Sequence, residues 1–265
     1  MKAIVDFHVH FYPQYGIESY LHAFCNRTQP LLDVDDHQCL TLMCLVERQG
    51  QYVFNQLESG HITLNSPWQV APLEPGRSLK ISCRDHTMIL IAGRQFVTAE
   101  RIEMLCLGVD LDQPDGLNSE QLFASIQAAK GLPVVAWAPG KWMFKRRRVV
   151  QALLNHASPQ QIALGDTSLR PRYFSGGTVF SKALRSGYVI LPGSDPLPFS
   201  GESTKVGSYF GITDLNPDTP AASLWEQFHT GTLVVQPSRR PNSILGVMNR
   251  MIAHTLAKRS QNSTQ

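Results

Sequence analysis

Two histidines near the start of the chain, His8 and His10, have the types and spacing best suited to chemistry. They sit in the run Val5-Asp6-Phe7-His8-Val9-His10, which reads as a strand. Residues two apart in a strand point to the same face. Both imidazoles can therefore aim at one point, as two nitrogen ligands of a single metal ion do. Far away in sequence, Gly193-Ser194-Asp195-Pro196 sets a carboxylate on a tight turn that leaves an apolar run. Two imidazoles and one hard carboxylate suit zinc, manganese or iron, and such an ion activates water for hydrolysis. The plainer alternatives are satisfied loop histidines and an aspartate that serves only its turn. The other histidines (His22, His37, His61, His86, His156, His229 and His254) have no partner at ligand spacing.

These residues need a scaffold to hold them. Residues 3–7 and apolar runs at 40–46, 87–93, 102–108, 132–137, 161–165 and 188–192 read as buried strands. Helical stretches at 17–27, 51–57, 118–130, 145–156, 178–186, 220–230 and 242–258 fall among them. Residues 60–85, broken by Pro67, Pro72, Pro75 and two glycines, read as an inserted hairpin or meander. Residues 259–265 read as a polar, disordered tail. The alternation predicts an α/β fold with a parallel sheet covered by helices, closed or nearly closed into a barrel. Residues 1–265 are expected to form one such domain.

In such barrels the working residues lie just after the strands. That rule selects His8 and His10, then Glu47 and Arg48, Arg94 and Gln95, and Asp110 and Asp112. It goes on to Trp137, Lys141 and Trp142, to Asp166, Arg170 and Arg172, and to Ser194 and Asp195. Asp195, Glu47 and Asp166 are the candidate catalytic carboxylates, although a cap or a surface position would account for the last two equally well. Lys141, Arg170 and Arg172 form a cationic rim of the kind phosphate recognition uses, with Gln95 a further substrate-binding candidate. Solvated loop charges are the alternative for that rim. Lys145-Arg146-Arg147-Arg148 reads as the solvated start of a helix. Trp137 and Trp142 would suit a ring-binding pocket or plain packing. The closing helix is amphipathic through Ile244, Leu245, Val247, Met248, Met251 and Ile252. It is expected to pack on the barrel, the alternative being a second copy of the chain.

Bulk properties narrow the partners. Hydrophobic residues make up 43 %, and no apolar run approaches a membrane-spanning length. No basic segment followed by an apolar one opens the chain. Five cysteines, an odd number without CxxC spacing, imply reduced thiols in a cytoplasmic core. A net charge of +3 is too weak to imply nucleic acid, which is not expected as a partner, and suits a small anionic substrate. Membrane association is not expected, and the oligomeric state is not set by the sequence. GxGxxG after the first strand, GxSxG and P-loop motifs are all missing.

The order of motifs resembles the PHP family, the polymerase and histidinol phosphatase superfamily, itself similar to amidohydrolases. Asp6-Phe7-His8-Val9-His10 resembles the opening D-x-H-x-H of that family, and Gly193-Ser194-Asp195 its closing G-S-D. The resemblance implies a distorted (β/α)7-type, TIM-like barrel and metal-dependent phosphoester hydrolysis, with His8, His10 and Asp195 at ligand positions. The family's T-D-H after the second strand is replaced by Leu45-Val46-Glu47-Arg48. Gln95, Trp137 and Leu197 stand where the family keeps other ligands. Gln95 is neutral and Trp137 cannot ligate, so the expectation is a reduced site holding one divalent ion. Two rival readings remain: a catalytically inactive relative that binds an anionic ligand or a protein partner, and an amidohydrolase acting on a C–N bond.

Overall fold

The computed structural model describes residues 1–32, 39–84 and 86–262, so His37 lies outside the described residues. The first half runs β1 (Lys2–Val9), α1 (Ile17–Leu32), β2 (Leu40–Glu47), α2 (Val53–Glu58), β3 (Trp68–Glu74), β4 (Ser78–Cys83), β5 (His86–Val97) and β6 (Glu103–Leu107). The second half runs α3 (Ser119–Ala128), β7 (Leu132–Ala136), α4 (Phe144–His156), β8 (Ala163–Thr167), α5 (Gly177–Arg185), β9 (Ile190–Gly193), β10 (Gly211–Asp214), α6 (Pro220–Thr230), β11 (Gln236–Pro237) and α7 (Ile244–Asn262). Residues 259–262, read as part of a tail, continue α7.

Seven strands in the order β1-β2-β5-β6-β7-β8-β9 make a nearly closed, barrel-like sheet with helices between strands. The TIM-like, distorted α/β barrel is the architecture observed. Its apolar strands split by alternation. Leu42, Cys44 and Val46 join the inner core, whereas Met43 and Leu45 pack outward with Tyr20, Leu21 and Phe24 of α1. A strand buried on both faces needs both sets apolar, which is why these runs read as continuous.

One feature departs from the all-parallel sheet that strand–helix alternation implies. β6 is antiparallel to both β5 and β7, while β1–β2, β2–β5, β7–β8 and β8–β9 are parallel. The physical reason is connection length. Only residues 98–102 join β5 to β6, and a parallel partner needs a crossover of roughly a dozen residues or more. The inserted stretch is the hairpin β3–β4, which pairs with residues 86–91 at the start of β5. Glu74 of this hairpin accepts hydrogen bonds from the Ala221 and Ala222 N–H groups at the start of α6. The insertion therefore braces the base of the barrel.

The barrel closes at its top by a seam between β1 and the turn after β9. Asp195 N–H donates to the His8 carbonyl at 2.8 Å. The Asp6 carboxylate accepts from Ser194 N–H at 2.8 Å, Gly207 N–H at 2.8 Å and His8 N–H at 3.3 Å. At its base β1 instead pairs with β10, antiparallel from Lys2 to Val5. Among the described residues, no helix is long and apolar enough to cross a membrane.

Gly193 lets the seam close. A Cβ there would stand 2.3 Å from His8 Cβ and 2.6 Å from the His8 nitrogen, with backbone that cannot step aside. Gly193→Ala is therefore expected to lower unfolding stability by about 1–3 kcal/mol or more, measured by urea denaturation. Unchanged stability would show that the seam tolerates the added carbon.

Candidate metal centre

The two histidines reach the barrel interior through a β-bulge. Asp6 pairs with Met43 but Val9 pairs with Leu45, so three steps on β1 face two on β2. Before the bulge Ala3, Val5 and Phe7 point into the inner core; after it Val9 points outward. The extra residue turns His8 and His10 inward, a re-aiming that bulges commonly perform. Both are almost fully buried, at 3 % and 2 % exposure.

Their Nε2 atoms lie 3.0 Å apart. Asp195 Oδ1 is 3.6 Å from His8 Nε2 and 3.7 Å from His10 Nε2. Ligand atoms about 2.1 Å from a tetrahedral ion lie roughly 3.4 Å from one another. The three observed separations bracket that spacing, and the donor set fits a borderline divalent ion. Electrostatics agree with the geometry. Burial holds His10 well below the usual histidine range, with His8 and Arg48 adding to the effect, so its ring is neutral and its lone pair is available. Burial pushes the Asp195 carboxyl up, against the pull of His8. Metal-ligating histidines commonly donate their other ring N–H to a fixed acceptor; here both Nδ1 atoms are buried without a hydrogen bond within standard geometry.

Asp195 takes a left-handed backbone conformation, with φ of 45°. Aspartate tolerates this region better than most residues, although a following proline disfavours it. The surrounding network imposes it. Arg250 of α7 donates to the Asp195 carbonyl at 3.3 Å and to Ser168 Oγ at 2.7 Å. It also grips Glu202 with Nε at 2.8 Å and Nη2 at 2.5 Å. Glu202 in turn accepts from Leu197 N–H at 3.0 Å. The closing helix thus fixes the turn that carries the carboxylate.

A cavity of about 660 Å³ opens above these groups. His10, Gln95, Lys141 and Asp195, all singled out from the sequence, line it, and His8 Nε2 lies 3.0 Å from Gln95 Oε1. Eight other sequence candidates lie elsewhere. Glu47 accepts from Val53 N–H at 2.5 Å and Phe54 N–H at 3.1 Å, which caps α2. Asp166 and Arg170 form a buried two-point ion pair, and Tyr209 OH donates to Asp166 at 2.6 Å. Arg172 donates to the carbonyls of Arg240 and Pro241. Trp137 and Trp142 pack in the core beside Phe174 and Phe180. Asp110 pairs with Arg94.

The cavity also holds groups that the strand-end rule passes over. Glu103 faces it and pairs with Lys141 at 3.0 Å. Because β6 runs downward, its first residue stands at the mouth. The short β5–β6 connection was the available signal. His254 and Lys258 enter from α7, along with Met251. Tyr12 completes the wall nearest His10, together with Arg48, which that rule did select.

The fold and site define a nearly closed α/β barrel with a candidate two-histidine, one-aspartate centre at its top. No protein-family model and no curated protein sequence matches the chain. Solved structures share the fold. PsfC from Pseudomonas syringae aligns over 98 % of this chain and 99 % of its own, at 15 % identity and a TM-score of 0.56. The lesion-specific endonuclease PfuEndoQ from Pyrococcus furiosus aligns over 89 % of this chain at 12 % identity and a TM-score of 0.51. The match spans 58 % of that endonuclease chain.

Removing one partner of the Arg250–Glu202 pair leaves a buried charge without compensation. Arg250→Met should cost about 3–5 kcal/mol of stability, and a second change, Glu202→Gln, should restore part of it. A double-mutant cycle in urea reads both; a loss in the double variant equal to the sum of the two single losses would refute the coupling.

Proposed function

We propose that this chain is a metal-dependent hydrolase of PHP-like fold, acting on an anionic phosphoester at a centre for one divalent ion. One observation carries the reading: His8, His10 and Asp195, from the two edges of the closing seam, offer ligand atoms that all lie within 4.8 Å of one another. The fold likeness to endonuclease Q, a PHP-superfamily member, supports the same class. When bound, zinc, manganese or iron supplies a Lewis acid and lowers the pKa of water at that point.

The chain's own residues account for the remaining roles. His8 and His10 would hold the ion through Nε2, and Asp195 through Oδ1, which would leave Asp195 Oδ2 to accept a proton from a water. Lys141, Arg48 and Lys258 give the cavity wall its positive charge and orient an anionic group. Glu103 keeps the Lys141 ammonium at the mouth. Glu47, Asp166, Arg170 and Arg172 hold the scaffold. Net charge alone argued against nucleic acid, but the endonuclease neighbour brings a nucleic-acid phosphodiester into the substrate range. The buried Cys25, Cys44, Cys83 and Cys106 thiols support a cytoplasmic location.

Gln95 favours a second reading. Its neutral amide meets His8 where the family resemblance puts a bridging carboxylate, as would suit an inactive relative that binds an anionic ligand.

Metal analysis of protein purified without chelator tests the centre. Close to one zinc, manganese or iron per chain is expected, falling to background in His8→Ala/His10→Ala. Absence of metal, with melting unchanged on adding Mn²⁺ or Zn²⁺, would end the metal reading. A panel of phosphomonoesters, phosphodiesters and single- and double-stranded oligonucleotides with added Mn²⁺ then separates the two readings. Turnover lost in Asp195→Asn supports the hydrolase, and metal binding without turnover supports the inactive relative.

A further inference from the structure

The net charge of +3 conceals a segregation along the chain. Residues 121–194 carry ten lysines and arginines against one acid, Asp166, a balance of +9. That acid is buried and paired with Arg170. Seven of the ten cations follow β7 or β8, at the end of the barrel that holds the candidate centre. The densest group is Lys145-Arg146-Arg147-Arg148 at the start of α4. Among the described residues, no carboxylate pairs with any of these four. Like charges this close repel one another unless a partner neutralises them.

Exposed rings stand among these charges. Phe144 is 84 % exposed and Tyr173 85 %, and Phe174 is half-exposed. Phe144 also holds φ of 52°, a left-handed conformation that bulky residues avoid. Strain of this kind collects at ligand-binding positions, and here no burial of the ring offsets it. The two loops that carry the rings meet. Arg147 Nη2 donates to Thr178 Oγ1 at 2.5 Å, and the Phe174 ring lies 6.1 Å from that of Trp137. The same loops line the cavity through Ala138, Pro139, Lys141 and Leu169. The basic and aromatic groups therefore border the cavity, and Arg48 and Lys258 continue the positive surface inside it.

We infer that this rim binds a single-stranded nucleic acid and leads it to the cavity, with phosphates on the Lys145–Arg148 run and bases against Phe144 and Tyr173. Cations interleaved with exposed rings suit an unpaired strand, whose phosphates and base faces are both accessible. A duplex keeps its base faces in the stack. An acidic peptide would match the charges and leave the rings without a role. A flat bilayer across the rim would cover the cavity, whereas one strand is narrow enough to enter it. The inference deepens the phosphoester reading, and rests on it for cleavage of the strand but not for its binding.

Fluorescence anisotropy in EDTA, with a labelled oligothymidylate of about 20 nucleotides, reads binding apart from hydrolysis. The wild type should bind with a micromolar Kd at about 50 mM salt, and His8→Ala/His10→Ala should bind as tightly. Lys145→Gln/Arg148→Gln should weaken binding about 10-fold and make the slope of log K against log salt shallower by about 1.4. Phe144→Ala/Tyr173→Ala should weaken binding about 10-fold with the salt slope unchanged. Circular dichroism should be the same in every variant. Binding with these losses but without turnover on adding Mn²⁺ would support the rim and count against the hydrolase. No binding at that salt would overturn the inference, as would binding that either the charge variant or the ring variant keeps in full. Tighter binding of the same strand in a duplex would also overturn it. So would flotation with phosphatidylcholine–phosphatidylserine vesicles that Lys145→Gln/Arg148→Gln abolishes, which would assign the rim to a membrane surface.

Discussion

The structure depends on the seam where the last strand of the barrel meets the first. It is made of few contacts: one backbone hydrogen bond from Asp195 to His8, and one carboxylate, Asp6, shared among three N–H groups. Burial pushes the Asp6 carboxyl up to about 6, but it sits among donors that favour its charged form. An unpaired buried N–H costs roughly 1–3 kcal/mol, so this one side chain satisfies a large local demand. It also sets the site. The hydrogen bond that closes the sheet joins the backbones of His8 and Asp195, two residues whose side chains meet above it. Barrel closure and the meeting of these side chains are the same event.

The rest of the chain supports that event from outside. Arg250 reaches from the closing helix to Glu202, Ser168 and the Asp195 carbonyl, and so holds an aspartate in a backbone conformation it does not prefer. Asp166, Arg170 and Tyr209 form a second buried network beneath the turn. Such networks contribute specificity only when every member is satisfied, and these two are nearly complete among themselves. Their charges are therefore unavailable to a ligand. The positive charges that line the open cavity are Arg48 and Lys258, with Lys141 there paired to Glu103.

Reversal of β6 changes what the mouth contains. In an all-parallel barrel, the residues after each strand face the site. With one strand inverted, its first residue does, and Glu103 takes the place that Asp110 and Asp112 would have held. Asp110 is instead tied to Arg94 and Asn55. The inversion also makes room for the β3–β4 hairpin, which occupies the lower edge of β5 while β6 pairs with its upper part.

Local sequence by itself determined the elements and the closeness of the two histidines. Continuous apolar runs announced strands buried on both faces, and two-residue spacing put His8 and His10 on one side. Neither property reports which side, because side-chain alternation has no sign until the strand pairs. The bulge between Asp6 and Val9, visible only in register with β2, decided that the histidines face inward. Strand direction was decided in the same way, since a buried run reads alike in either sense, although the five residues before β6 were short enough to betray it. Ion pairing was beyond the sequence altogether. Asp166 and Lys141 looked equivalent as charged groups after strands, and only tertiary packing gave one a buried arginine and left the other at the cavity mouth. The energy of a charge depends on what surrounds it in space, and that is a property of the fold.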